Sequence, residues 1–158
     1  MRITRHAGVI RLGMGYLAVT IGVVAIGILA APRGFYDDFP LGPSAWVSAL
    51  PPYNEHLIRD FGAAGLGLAV LAGLAAWWMD RRLVQAAAIC LFLGSLPHAL
   101  YHATTFESYS TVDNMLSFGG LALQTLLPLA LLYLASGARQ DEPSARPAEG
   151  RPPTPRRA

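Results

Sequence analysis

The sequence predicts an all-α fold, a polytopic membrane protein built as a four-helix transmembrane bundle, and three observations predict it. The 158 residues are 53% hydrophobic and only 14% charged, with a mean hydropathy of +0.39, far more apolar than an ordinary soluble domain. Four apolar runs, at 12–31, 61–79, 83–103 and 115–135, meet the length of about 20 residues needed to cross a hydrocarbon layer roughly 30 Å thick. The arginines are segregated between the runs in the alternating manner of a chain that crosses a membrane repeatedly.

All twelve basic residues are arginine. Arg2, Arg5 and Arg11 precede the first run, Arg81 and Arg82 join the second to the third, and Arg139, Arg146, Arg151, Arg156 and Arg157 follow the fourth, which puts ten on one side. Arg33 and Arg59 share the other side with Asp37, Asp38, Glu55, Asp60, Glu107 and Asp113. The positive-inside rule then predicts cytoplasmic N- and C-termini, in keeping with an even number of crossings. A net charge of +2 with these positions describes membrane orientation and not a nucleic-acid surface.

The first run is read as a retained span. It exceeds the apolar region of a signal peptide, and Ile28-Leu29-Ala30 is a poor small-x-small cleavage site. A long connection follows, APRGFYDDFPLGPSAWVSALPPYNEHLIRD, of a length that marks either function or mobility. Within it residues 44–50 are expected as a short interfacial helix capped by Ser44 with Trp46 at headgroup depth, or as an irregular loop anchored by Trp46 and Tyr53. Pro51-Pro52 stops that segment, and Asn54 is the expected cap of the second span, at about 56–79.

In that span Gly65, Ala69 and Gly73 recur every four residues, the small-residue pattern that lets two helices approach closely in lipid. Asp80-Arg81-Arg82 leaves almost no slack, so the second and third spans form an antiparallel hairpin. The third span, 83–103, contains Pro97, expected to bend or loosen its last turns. The fourth, 114–135, starts after capping candidates at 111–114 and carries Gln124, an interhelical hydrogen-bonding residue. Residues 1–136 thus make one transmembrane domain. The tail from 137 to 158, rich in Pro, Arg, Ala and Glu, is expected to be disordered and cytoplasmic.

Chemistry is sought at the end opposite the arginines. At 1.5 Å per residue His98 lies roughly 22 Å and His102 roughly 28 Å along the third span, level with Glu55, His56 and Asp60 at the start of the second. His98 and His102 share one helical face, as do Glu55 and Arg59, and His56 and Asp60. The local reading pairs Glu55 with Arg59 and His56 with Asp60, and has the two later histidines bond to loop carbonyls or to Tyr101 or Tyr109. The ligand reading makes Glu55, His56, Asp60, His98 and His102 the lining of an outward-facing polar pocket for a lipid or quinone. In the metal reading His98 and His102 chelate a metal or ligate haem, as an i, i+4 pair can. Cys90 stands alone, so an intramolecular disulfide and a multi-cysteine metal site are both excluded. The sequence holds no Gly-rich phosphate loop, nucleophile elbow or HExxH.

The stretch RDFGAAGLGLAVLAG, a short arginine-containing turn, and SLPHALYHATT before a fourth apolar helix resemble the small four-helix membrane proteins grouped around the DoxX-like families of bacteria. The resemblance covers about residues 54–136. It implies the bacterial cytoplasmic membrane and a quinone-linked or accessory role in a larger complex, and the absence of lysine suits a GC-rich bacterial genome. Three function classes follow. The chain is a non-catalytic binder of a lipophilic molecule or a complex subunit, self-association included. Alternatively it is a redox subunit with a histidine-ligated metal or haem, or a lipid isomerase-like enzyme using Asp60 or Glu55 beside His98. No cofactor is specified beyond the candidates haem, metal and quinone.

Overall fold

The structure, a computed structural model, describes residues 2–40, 45–50 and 52–137, with only the backbone of Phe106. Among the described residues the helices are α1 (Ala7–Ala30), α2 (Pro32–Asp38), α3 (Glu55–Trp78), α4 (Arg81–His102) and α5 (Thr111–Gly137), with a 3-10 turn at Phe106–Ser108. Four of them, α1, α3, α4 and α5, are long and apolar enough to cross a membrane. The tail 138–158, the Ser44 cap and the Pro51 stop lie outside the described residues.

α1 and α3 pack along their whole length through small residues. A Cβ added to Gly65 would sit 3.4 Å from the Cβ of Ala25, one on Gly22 would sit 3.5 Å from that of Ala69, and one on Gly73 would sit 3.8 Å from that of Ala18. Gly62 is tighter still, its added Cβ falling 2.6 Å from Ile28 Cγ2. The four-residue repeat read in the second span therefore has its partner in α1. The α3–α4 hairpin is present but lightly packed, and α4 lies mainly against α5. Gly94 marks the α3–α4 approach against Leu68, and Gly13 marks the α1–α5 approach against Leu131.

The main core gathers at one end. Ile3, Ile10, Met14, Leu17, Ala72, Ala75, Met79, Val84, Ala87, Ala88, Leu91, Leu131 and Ala135 form one buried cluster. This is the arginine end, where the start of α1, the α3–α4 turn and the end of α5 meet. Arg2 donates its Nε to the Trp78 carbonyl at 3.3 Å and Arg11 its Nε to the Ala76 carbonyl at 3.1 Å. Both satisfy carbonyls that a helix C-terminus leaves without partners. Met79 takes a left-handed conformation (φ 53°) that buries its side chain, and Asp80 caps α4 by accepting the N–H groups of Arg82 and Leu83.

Trp77, Trp78 and Tyr133 are exposed at this end, the aromatic girdle expected at a bilayer interface. Large apolar side chains are exposed on every long helix, among them Leu12, Val23, Val70, Leu93, Leu123 and Leu126. A lipid environment is the solvent in which such faces are stable.

Candidate functional site at the loop end

The opposite end is built from α2, the segment 39–54, the start of α3, the end of α4 and the start of α5. Pro32 at the first helical position starts α2, and Arg33 pairs with Asp37 one turn on at 2.7 Å. Residues 46–49 form turns, not a helix. Trp46 does not simply anchor the loop to lipid. Its Nε1 donates to Asp113 Oδ1 of α5 at 2.8 Å, and its carbonyl accepts the Tyr109 hydroxyl at 2.6 Å. Asp113 is held from the other side by the Ser110 hydroxyl at 2.6 Å, while the Asp113 N–H donates back to Ser110 Oγ at 3.1 Å. Ser110 thus caps α5 with its side chain, one residue earlier than the candidates at 111–114. The Trp46–Asp113 bond ties the first connection to α5 across 67 positions of sequence.

Asn54 caps α3 as expected, its side chain accepting the Leu57 N–H at 3.1 Å. Glu55 holds Arg59 at 2.8 Å, and Arg59 reaches the Leu29 carbonyl at the end of α1 at 3.5 Å. Glu55 therefore orients a cation that serves the carbonyls ending α1, as Arg2 and Arg11 serve those ending α3. His56 meets Asp60 at 3.4 Å with both side chains well exposed, 88% and 63%. These two pairs match the local reading of the acidic turn. Exposed pairs of this kind contribute little, about 0–1 kcal/mol.

The two later histidines behave differently. α4 continues through Pro97 to His102, and the imidazoles meet their neighbours through ring faces. Phe61 of α3 stacks on His98 with centroids 5.9 Å apart, and His98 meets His102 at 4.9 Å. His102 stacks on Tyr109 at 5.9 Å and meets Tyr101 edge-on at 6.2 Å. A continuous run of rings thus joins α3, α4 and the turn before α5. Phe61 and His98 are exposed, while His102 and Tyr109 are half-buried. Tyr109 spends its hydroxyl on Trp46, not on an imidazole. Burial, and to a smaller extent Tyr101, pushes its phenol above the ordinary range.

Of the predicted site residues, His98 and His102 stand together, while Glu55, His56 and Asp60 are paired within α3. Phe61 was missed as a member, and Tyr109 was expected as a hydrogen-bond partner of the histidines where it meets His102 through its ring face, because ring stacking between distant segments leaves no spacing signal. As metal ligands His98 and His102 form a pair only. Zinc sites draw three or four ligands from protein, and no group of three or more His, Cys, Asp or Glu suited to a metal occurs among the described residues. The two imidazoles touch one another, which leaves no room for a macrocycle between them. The described side chains therefore supply no complete metal site and no histidine pair that could hold a haem between its rings.

Comparison with protein-family models, with curated proteins and with solved structures gives no match, and none of these identifies a DoxX-like relationship.

Proposed function

We propose that this is a multi-pass protein of the bacterial cytoplasmic membrane, with both termini cytoplasmic, that binds a lipophilic molecule with a flat polar head, a quinone or a lipid of similar shape. The binding surface is the ring run Phe61–His98–His102–Tyr109 at the extracytoplasmic end. The observation that carries this reading is the continuous run of ring contacts joining α3 to the turn before α5, stacked at both ends and tilted between His98 and His102, with an exposed imidazole in its middle.

An ionisable side chain within a spanning segment is costly, and such groups face a protein interior, a cavity or a partner. His98 offers a hydrogen-bond donor or acceptor to a carbonyl or hydroxyl head. Phe61 offers a face on which a planar ring stacks at the centroid distances aromatic pairs favour. The arginine count supports the orientation, because it sets this end away from the ten-arginine side. His56 and Asp60 form a water-facing rim with Glu55.

The test is a titration of the purified full-length protein with a short-tailed benzoquinone, followed by tryptophan fluorescence quenching. Saturable binding is expected, about tenfold weaker in His98→Ala, the value of one hydrogen bond of about 1.4 kcal/mol. Non-saturable quenching, or equal affinity in His98→Ala and Phe61→Ala, would remove the reading.

A further inference from the structure

Several polar side chains within the candidate spans are served inside one chain. Thr20 returns its hydroxyl to the Tyr16 carbonyl at 2.9 Å, Ser95 to that of Phe92 at 3.1 Å and Ser117 to that of Asn114 at 3.3 Å, while Gln85 donates to Ser136 of α5 at 3.2 Å. Gln124, expected from the sequence to bond between helices, is different. Its side chain is half-buried, and its amide makes no hydrogen bond among the described residues. It sits at the midpoint of α5, 13 residues from Thr111 and 13 from Gly137, so about 20 Å from either end. We propose that α5 packs against α5 of a second copy of this chain, with the two Gln124 amides hydrogen-bonded to one another across a two-fold axis along the membrane normal.

The chemistry of the amide selects this partner. At the centre of an apolar layer no water replaces a missing hydrogen bond, so an unanswered amide is costly. An acyl chain offers it neither donor nor acceptor. A second amide offers both, because each carries two N–H donors and a carbonyl acceptor. The ten arginines on one side insert every copy the same way round. A two-fold axis along the membrane normal then brings each residue to its own counterpart at equal depth, the reciprocal contact of a symmetric dimer.

The packing of α5 leaves this face open at the right place. Two turns beyond Gln124 on the same face, Leu131 is covered by Gly13 of α1, where an added Cβ would fall 2.8 Å from Leu131 Cδ2. Between Ser117 and Thr125, by contrast, α5 buries no residue. Gly120, one turn before Gln124, is exposed, and a Cβ added there would meet nothing within 4 Å. A glycine at that position lets a second helix come close enough for the amides to meet. Leu116, a further turn away and 61% exposed, extends the contact with apolar surface. The ring run lies on α3, α4 and the turn before α5, so the dimer face is independent of it.

The experiment uses full-length protein with a fluorophore at its C-terminus, in phosphatidylcholine liposomes diluted stepwise with lipid, and counts copies by single-molecule photobleaching. Wild type should pass reversibly from two copies to one. Gln124→Leu should associate about tenfold less tightly, the strength of two modest interhelical hydrogen bonds, and Gln124→Asn should recover most of the loss. Gly120→Leu obstructs the approach at a position that meets nothing in its own chain. It should stay monomeric while folding normally, so the proposal stays testable even where Gln124→Leu fails to fold. In a Cys90→Ser background, oxidation should cross-link Gly120→Cys and leave Leu126→Cys, on another face of α5, uncoupled. A wild type that is monomeric at every dilution, a Gln124→Leu that dimerises as wild type does, or cross-linking at 126 in preference to 120 would overturn the proposal. So would a monomer that retains a small molecule in native mass spectrometry and loses it in Gln124→Leu, which would make the partner of the amide a ligand and not a second copy.

Discussion

At the arginine end four helices close on one buried cluster from Ile3 to Ala135, and arginine side chains finish the carbonyls of α3. At the loop end α1 and α3 stay in contact down to Ile28 and Gly62, while α4 buries nothing beyond Ser95 and α5 nothing between Ser117 and Thr125. What spans the second half is a hydrogen-bonded clasp, Trp46–Asp113–Tyr109, and a run of rings. The difference teaches a division of labour. Packing is concentrated at one end, and polar and aromatic contacts hold the other. Polar and ring contacts are individually modest, about 0.5–1.5 kcal/mol each, so they exchange more readily than a packed core.

The comparison can be broken first at the core. Leu131→Ala, at a site 1% exposed, should cost about 2 kcal/mol or more in detergent unfolding, since the cavity is left behind whatever the outer solvent. Leu100→Ala, at the lipid-exposed loop end, should change stability by less than about 0.5 kcal/mol. Equal costs would erase the asymmetry.

The α1–α3 seam gives the next effect. Gly62→Ala pushes a methyl to 2.6 Å from Ile28 Cγ2 and 3.1 Å from Leu29 Cγ, and should destabilise by about 1–3 kcal/mol. Gly120→Ala, with nothing within 4 Å, should be neutral or stabilising by up to about 1 kcal/mol. Thermal unfolding of the two variants side by side separates these outcomes.

Much of this architecture was legible in the sequence, because the bilayer imposes it. Length and apolarity revealed four spans, Asn54 revealed the start of α3, and Gly65, Ala69 and Gly73 revealed a tight seam. Its partner was not legible, since Ala18, Gly22 and Ala25 of α1 look like any small residues in an apolar run. α2 was signalled only by Pro32 and the Arg33–Asp37 spacing, both easily lost in a long loop. In the candidate site the local pairs Glu55–Arg59 and His56–Asp60 followed from helical periodicity. The role of Trp46 did not, because a bond across 67 positions depends on how two connections fold over one another.

The clasp should give a smaller effect than the seam. Trp46→Phe keeps the ring contact with Phe39 (centroids 5.9 Å apart in the native chain) but loses the donor to Asp113. It should cost about 1 kcal/mol and raise hydrogen exchange in residues 45–50 and 109–113 only. Smallest is the alkaline effect. The Tyr109 phenol is raised in the folded protein, chiefly by burial. Its contribution is therefore fully present below the ordinary phenol range and lost as pH climbs through the raised value. Tyr53 is raised as well, chiefly by burial, so ultraviolet difference titration should show a late-ionising component that shrinks, without vanishing, in Tyr109→Phe. A wild-type curve that overlays the variant would remove Tyr109 from the clasp.

The most direct measurement of the central claim is hydrogen–deuterium exchange of the full-length protein in nanodiscs, with and without a saturating short-tailed benzoquinone. The account predicts ligand-dependent protection at residues 94–116 and the start of α3, with residues 2–16 and 76–88 unchanged. Protection confined to the arginine end, or no protection anywhere at saturation, would contradict it.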